Sequence, residues 1–108
     1  MERRVAFNLE AFLTTVTGGK TLAKYRKGET VFSQGDPCDG VFCIQSGDCK
    51  VCVISQRGKE AVVALHGKGD FFGEGCLTGQ HLRLATVTAM SDLELMRFDN
   101  AAIQRVLH

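Results

Sequence analysis

The chain has 108 residues, 44% of them hydrophobic, and this length suits one domain with a single core. Its 13 Lys and Arg residues nearly balance 12 Asp and Glu residues, giving a formal net charge of +1. No basic block is interleaved with aromatic residues, so we expect that this chain does not hold DNA by itself. The sequence shows neither an apolar signal segment nor a run long enough to cross a bilayer, which predicts a cytoplasmic location.

The cysteines number five, an odd count at irregular spacing, which argues against the disulfide framework of a secreted protein. We expect reduced thiols that pack as small apolar groups at Cys38, Cys43, Cys49, Cys52 and Cys76. Cys38 follows the Asp36-Pro37 turn and is predicted to be the exposed, reactive thiol.

The first predicted element is a short amphipathic helix, because apolar residues recur at helical spacing after Asn8, a residue type that caps helices; they are Leu9, Phe12, Leu13 and Val16. Gly18 and Gly19 are expected to end it. The letters GGKT that follow could be taken for the end of a P-loop, but Thr14 stands where the first glycine of that motif belongs. We therefore predict a helix stop and a turn there.

Short β-type runs separated by glycine dominate the middle of the chain. They cover residues 30–33, 41–45, 48–54, 60–66, 83–90 and 93–98. Gly58 lies where a hairpin loop needs a positive φ, so the third and fourth runs are predicted to form a hairpin. The spacing of the turn signals is typical of a β-sandwich, jelly roll or barrel. We predict one mainly β domain over residues 1–108, an antiparallel jelly roll (double-stranded β-helix) with short flanking helices.

The last predicted element is a helix that Asp99 and Asn100 could cap. Its apolar stripe consists of Ile103, Val106 and Leu107, and the sequence stops at His108 inside the pattern. We expect the helix to continue in a longer protein.

One glycine-rich segment, GDFFGEGCLTGQHLRLATV at residues 69–87, carries the isolated charges Glu74 and Arg83. Backbone N–H groups in such a segment attract anions, and a guanidinium fork suits paired phosphate oxygens. A carboxylate can accept from a sugar hydroxyl, as acidic residues do for ribose in dinucleotide-binding folds. The two charges would together suit a phosphate joined to a ribose. The alternative is a structural ion pair between Glu74 and Arg83 that fixes a loop to a strand.

Metal-dependent catalysis is not predicted. The histidines His66, His81 and His108 are scattered, without a pair at metal-ligand spacing. Cys49 and Cys52 form a C-x-x-C pattern, but residues three apart on a strand point to opposite faces. The sequence offers no arrangement of a nucleophile and a base either, so we expect neither a metal nor an enzyme.

Three stretches resemble cyclic nucleotide-binding domains, and the resemblance as a whole covers the chain from about residue 7 to residue 108. GEGCLTGQHLRLATV resembles the phosphate-binding cassette of that family, YRKGETVFSQGDPCDGVFCIQSGDCKV its first strands, and GKEAVVALHGKGDFFGE the hairpin before the cassette. The likeness is greatest to the sensor domains of bacterial Crp/Fnr-type transcription regulators.

The resemblance implies a role for each matching residue. Glu74 would hold the ribose 2′-hydroxyl, and Arg83 followed by Ala85 would form the Arg-x-Ala that holds the cyclic phosphate. The N–H groups of Gly75, Cys76 and Leu84 would complete the anion cradle, and Gly73 would allow close approach. Without nucleotide, we expect Arg83 to be neutralised by Glu74, water or a buffer anion, because an unpaired buried cation is costly.

Two positions depart from the family pattern. Gly75 stands where a bulky aliphatic residue is common, and Leu84 where Ser, Thr or Ala often stands. A missing hydrogen bond to a charged group costs about tenfold or more in affinity.

The resemblance implies the ligand-sensing domain of a Crp/Fnr-type regulator that binds cAMP or cGMP. Its dimer helix and DNA-binding domain would lie outside this chain, and the full protein is expected to be a homodimer without membrane contact. Ligand binding would act by linkage, shifting the position of the C-terminal helix. The alternatives are a regulatory module of a kinase, channel or other effector, a jelly-roll sensor that has lost nucleotide binding, and, last, a jelly-roll metalloenzyme, which metal analysis would test.

Overall fold

A computed structural model describes residues 15–16 and 18–107 of the chain, without the side chains of residues 106 and 107. The predicted N-terminal helix falls almost entirely outside these residues. At its predicted end, Gly18 and Gly19 both have positive φ, at 73° and 66°, as expected for a chain reversal after a helix.

The described chain consists mainly of eight strands. They are β1 (Lys20–Tyr25), β2 (Thr30–Phe32), β3 (Gly40–Ser46), β4 (Cys49–Ile54), β5 (Glu60–His66), β6 (Phe71–Phe72), β7 (Thr86–Ala89) and β8 (Leu93–Asp99). A 3-10 helix, Glu74–Thr78, separates β6 from β7, and helix α1 (Asn100–Leu107) follows β8.

The strands form two four-stranded sheets, with orders β1-β8-β3-β6 and β2-β7-β4-β5. Neighbouring strands in both sheets are antiparallel. Among the described strands, only β4 and β5 are both consecutive in the chain and neighbours in a sheet. Two antiparallel four-stranded sheets in this strand order form a jelly roll, so the predicted fold class is confirmed.

The predicted hairpin is formed by β4 and β5. Gly58 has φ 82°, and the Ser55 N–H donates to the Lys59 carbonyl at 2.8 Å to close the turn. A register shift between Val51 and Cys52 interrupts the ladder, which breaks the side-chain alternation of β4. Cys49 and Cys52 are both buried; Cys49 lies in the core cluster with Val87 and Ala89, and Cys52 does not.

Three strand assignments also differ from prediction. Strand β1 was missed because it pairs only with β8 at the end of its sheet, so Lys20, Leu22 and Lys24 are all exposed and no apolar run marks it. Strand β6 has only two residues, too few for a periodic signal. The run predicted over residues 83–90 begins as a strand only at Thr86.

The core consists of two clusters. The first lies among the strands and contains Phe42, Ile44, Cys49, Phe72, Val87, Ala89, Leu93 and Leu95. The second joins the 3-10 helix and α1 to strands β3 and β8, and contains Val16, Val41, Cys76, Phe98, Ala102 and Ile103. Helix α1 thus confirms the predicted C-terminal helix, with Ile103 fully buried.

Candidate functional site

The cassette, defined here as residues 73–85, runs from the end of β6 to the start of β7. Gly73 precedes its 3-10 helix with φ 81°, and Gly79 follows it with φ 91°. Both values lie in the left-handed region that only glycine enters without strain. The glycines of the sequence motif therefore set the sharp entry to the helix and the sharp exit from it.

The second half of the cassette is held by the loop between β2 and β3. The Gly35 N–H donates to the Arg83 carbonyl at 2.8 Å, and the Arg83 N–H donates to the Asp36 carbonyl at 2.7 Å. The Cys38 N–H donates to the His81 carbonyl at 2.8 Å. These backbone bonds fix the position of Arg83 by a segment more than forty residues earlier in the chain.

A cavity of about 230 Å³ opens over the cassette. Six of the seven predicted site residues line it, namely Gly73, Glu74, Gly75, Arg83, Leu84 and Ala85. The seventh, Cys76, is 6% exposed and lies in the second core cluster. The structure therefore brings both predicted charges to one cavity.

The Glu74 side chain is exposed. Within the described part of the chain its carboxylate has no hydrogen bond or ion pair. All its oxygen acceptors are thus available to an incoming donor.

Arg83 is the opposite case, a charged residue only 4% exposed. Its Nη1 donates to the Gly73 carbonyl at 2.9 Å and its Nη2 to the Gly40 carbonyl at 2.8 Å. Nη2 also lies 3.8 Å from Oδ1 of Asp39, a carboxylate that pairs with Arg97 at 3.1 Å. Glu74 does not pair with Arg83, so the Glu74 branch of the predicted neutralisation was wrong, as was the alternative of an ion pair between these two residues. Two backbone carbonyls accept from the guanidinium instead, and the nearby carboxylate is that of Asp39.

Aromatic rings complete the surroundings of the guanidinium. Its central carbon lies 4.1 Å from the centroid of the Phe32 ring and 5.7 Å from that of Phe42. Such contacts stabilise a desolvated cation. Nε is buried and has no hydrogen-bond partner in the described structure, so one donor of the guanidinium remains unused.

Gly73 allows the close approach of Arg83. A Cβ at this position would lie 2.9 Å from Nη1 of Arg83 and 3.2 Å from Cδ1 of Phe42. The resemblance implied that Gly73 allows close approach in the anion cradle. In the described structure, the group that lies close to Gly73 is the guanidinium of Arg83.

Gly75, the first departure from the family pattern, is explained by Gln80. A Cβ on Gly75 would overlap Oε1 of Gln80, and the Gln80 N–H donates to the Gly75 carbonyl at 3.1 Å. The glutamine side chain thus occupies the space beside Gly75 and lines the cavity. Sequence reasoning missed Gln80, although a glycine in place of a bulky residue is a signal that another side chain fills the space.

The remaining cavity residues come from the strands and were also missed. They are Phe32, Val51, Ala64, His66, Phe72 and Val87. His66 stacks on Phe72 with ring centroids 6.0 Å apart. The strand runs gave no means of telling which of these side chains face the cavity.

No group of three or more His, Cys, Asp or Glu side chains suited to a metal ion occurs among residues 15–16 and 18–107. All five cysteines lie within the described residues as thiols, and burial raises the pKa values of Cys49 and Cys52. In the same residues, no helix is long and apolar enough to span a bilayer.

Comparison with known proteins gives one consistent result. The family described as the cyclic nucleotide-binding domain matches residues 22–108. The sensor domain of the transcriptional regulator DNR from Pseudomonas aeruginosa superposes with a TM-score of 0.80 and 26% identity, covering 90% of this chain and 65% of that one. The catabolite activator protein of Thermus thermophilus gives 0.75 and 27%, covering 92% and 46%.

Among sequence relatives, a cAMP-dependent protein kinase regulatory subunit of Schizosaccharomyces pombe is 39% identical over 77% of this chain and 19% of its own length. An uncharacterised protein of Mycobacterium tuberculosis is 38% identical over 89% of this chain and 18% of its own length. The chain therefore spans about a fifth of the curated relatives it matches.

Proposed function

Because the chain belongs to the cyclic nucleotide-binding domain family, we propose that it senses a cyclic nucleotide, cAMP or cGMP, in the cavity over the cassette. The observation that carries this proposal is the presence of Arg83 and Glu74 in one cavity, one with an unused buried donor and the other with a free carboxylate. A ligand that offers both an anion and a hydroxyl group matches this pair, and a sugar phosphate is such a ligand.

The assignment of roles follows the resemblance. Arg83 contacts the cyclic phosphate, Glu74 accepts from the ribose 2′-hydroxyl, and the N–H groups of Gly75, Cys76 and Leu84 face the phosphate. The cavity is smaller than the roughly 300–1,000 Å³ of sites that bury a whole drug-sized ligand. It suits the sugar phosphate, with the base extending toward β4 and β5. We propose binding without catalysis and without a metal.

The unliganded arrangement sets the mechanism. Before it binds phosphate, the Arg83 guanidinium already has two carbonyl partners, so the ligand must share the cation with them or replace them. Either change acts on Gly40 at the start of β3. The next residue, Val41, belongs to the second core cluster together with Ile103 of α1. Binding thereby favours one position of α1, as linkage requires.

We assign this sensor to a Crp/Fnr-type transcription regulator. The structural likeness to the DNR sensor domain over 90% of the chain supports this assignment. DNA would be read by a domain outside this chain, and the full protein would be a homodimer. The discriminating observation is whether the full-length protein contains a helix-turn-helix.

A regulatory module of a kinase is the second candidate. The 39% identity to a protein kinase regulatory subunit favours it. The third is a jelly-roll sensor that has lost nucleotide binding, which the buried Arg83 and the absence of a hydroxyl at Leu84 favour.

The test of binding is a thermal-shift titration with cAMP and cGMP, comparing the wild type with Glu74→Gln. Ligand at about 100 times its Kd adds about 2.7 kcal/mol, or roughly 10 °C or more for a domain of this size. Glu74→Gln removes the free carboxylate but no internal contact, so we expect an unchanged melting temperature without ligand and a Kd raised about tenfold.

Glu94→Gln provides the matched control, because Glu94 pairs with Lys24 on the surface at 3.5 Å, away from the cavity. It should bind like the wild type. An unshifted wild type with both nucleotides would support the third candidate, and equal affinity of Glu74→Gln and the wild type would remove Glu74 from the site.

A further inference from the structure

The side chain of Gln80 forms part of the wall of the cavity over the cassette. Gln80 follows Gly79, the glycine at which the chain leaves the 3-10 helix, and it lines the cavity together with Gly75. Its amide lies against Gly75, because a Cβ built on Gly75 would overlap Oε1 of Gln80 and lie 2.8 Å from Cδ. The amide is therefore next to a residue whose N–H group is assigned to the anion cradle.

Backbone hydrogen bonds on both sides of Gln80 fix its position. Its own N–H donates to the Gly75 carbonyl at 3.1 Å, and the carbonyl of the next residue, His81, accepts from the Cys38 N–H at 2.8 Å. The side chain thus extends from a fixed point of the backbone. A group held in this way loses less conformational freedom when it binds a ligand than a group on a free loop.

The side-chain amide of Gln80 is half-buried and has no hydrogen-bond partner among residues 15–16 and 18–107. Gln34 shows the usual arrangement, since its Nε2 donates to the Ile54 carbonyl at 3.2 Å and its Oε1 accepts from the Ile54 N–H at 2.9 Å. A primary amide offers two N–H donors and one carbonyl acceptor. All of these remain available in Gln80 to a molecule in the cavity.

The other side chains near Gln80 offer few free donors to an anion. Leu84 lines the cavity with an apolar side chain that is 65% exposed. Both Nη atoms of Arg83 already donate to backbone carbonyls, those of Gly73 and Gly40. A hydrogen bond to a charged acceptor is stronger than one to a neutral acceptor, so an anion is the partner that gains most from the unused N–H groups.

We propose that Gln80 is a phosphate-contacting residue, whose side-chain N–H donates to the cyclic phosphate beside Arg83. This inference rests on the proposed function and adds to it a residue that the resemblance did not assign. It also gives the glycine at position 75 a role in binding, because the absence of a side chain there leaves the space in which the Gln80 amide lies.

The first experiment removes the amide and keeps the length of the side chain. Gln80→Met has a similar shape but no N–H donor. Because the amide has no internal partner to lose, we expect an unchanged melting temperature without ligand. The Kd for cAMP or cGMP should rise about tenfold, the effect of losing one hydrogen bond to a charged group. Isothermal titration calorimetry measures the Kd.

The second experiment identifies the group that the amide contacts. Gln80→Glu keeps the shape of the side chain and replaces its donors with a carboxylate. A carboxylate repels a phosphate, so we expect a Kd at least tenfold higher than that of Gln80→Met. A ribose hydroxyl would instead donate to the carboxylate. A Kd for Gln80→Glu no higher than that of Gln80→Met would therefore overturn the assignment to the phosphate.

Gln45→Met and Gln45→Glu are the matched controls, because Gln45 is exposed on β3 and does not line the cavity. Both should bind like the wild type. Equal Kd values for Gln80→Met and the wild type would overturn this inference and leave the proposed function intact. A wild type that binds neither nucleotide would overturn both.

Discussion

The two ends of the cavity hold charged residues of the same cassette in opposite states. At the glutamate end, the Glu74 carboxylate is exposed and has no partner among the described residues. At the arginine end, Arg83 is 4% exposed, donates to two carbonyls and faces a phenyl ring. The difference teaches that Glu74 has no internal contact to lose among the described residues, whereas Arg83 stabilises the fold. Loss of binding after a change at Arg83 therefore does not by itself identify a ligand contact.

The largest effect is expected at Arg83. Arg83→Leu removes the donors to one buried and one partly buried carbonyl, so we expect a loss of about 3 kcal/mol of unfolding free energy. The melting temperature should fall by roughly 15 °C. Calorimetry or denaturant titration without ligand measures this.

Arg97→Leu is the matched control for the arginine end. Arg97 is half-buried and pairs with Asp39 and Asp99, and such partly solvated pairs contribute about 1 kcal/mol or less. If the two variants were equally stable, Arg83 would have no special structural role and the contrast between the two ends would fail.

Gly73→Ala should have the next largest effect, about 2 kcal/mol, because the left-handed backbone disfavours a side chain and a Cβ would press on Arg83. Gly58→Ala separates these causes, since Gly58 has nearly the same φ of 82° with open space around it. We expect about 1 kcal/mol there. Equal losses at both glycines would mean that contact with Arg83 adds nothing.

The smallest effect is expected at the glutamate end, for Gly75→Leu. Gly75 has no positive φ, and the group in the way is the flexible Gln80 side chain, so the cost should be about 1 kcal/mol. Adding Gln80→Ala should restore most of it, with a coupling of about 0.5–1 kcal/mol in a double-mutant cycle. Additive losses would show that Gln80 does not fill the space beside Gly75.

The fold was predictable where side-chain pattern and turn chemistry agree. Gly58 between two apolar runs predicted the β4–β5 hairpin, and the apolar stripe that includes Ile103 predicted the C-terminal helix. Strand β1 gave no signal because its side chains are mostly exposed. The bulge at Val51 and Cys52 depends on pairing with β5, which no local pattern of β4 encodes.

The sequence predicted which residues belong to the site but not which atoms they contact. The sequence of the cassette predicted Glu74 and Arg83 as site residues, and both line one cavity in the structure. The partners of Arg83 could not be read, because two of them are main-chain oxygens and one of these, from Gly40, lies 43 residues away. The bonds between the cassette and the loop between β2 and β3 were hidden for the same reason, because they join main-chain atoms far apart in the sequence.

The Gly40 carbonyl has a consequence for mutational scanning and for comparison of sequences. Every amino acid supplies the same main-chain oxygen, so no substitution at position 40 deletes the acceptor that holds Arg83. Larger residues there would fail for another reason, because a Cβ would lie 2.8 Å from the Phe98 carbonyl. A scan would thus record position 40 as a packing constraint and overlook its electrostatic role. Only replacement of the backbone atom itself, or a spectroscopic probe of that carbonyl, would reveal it.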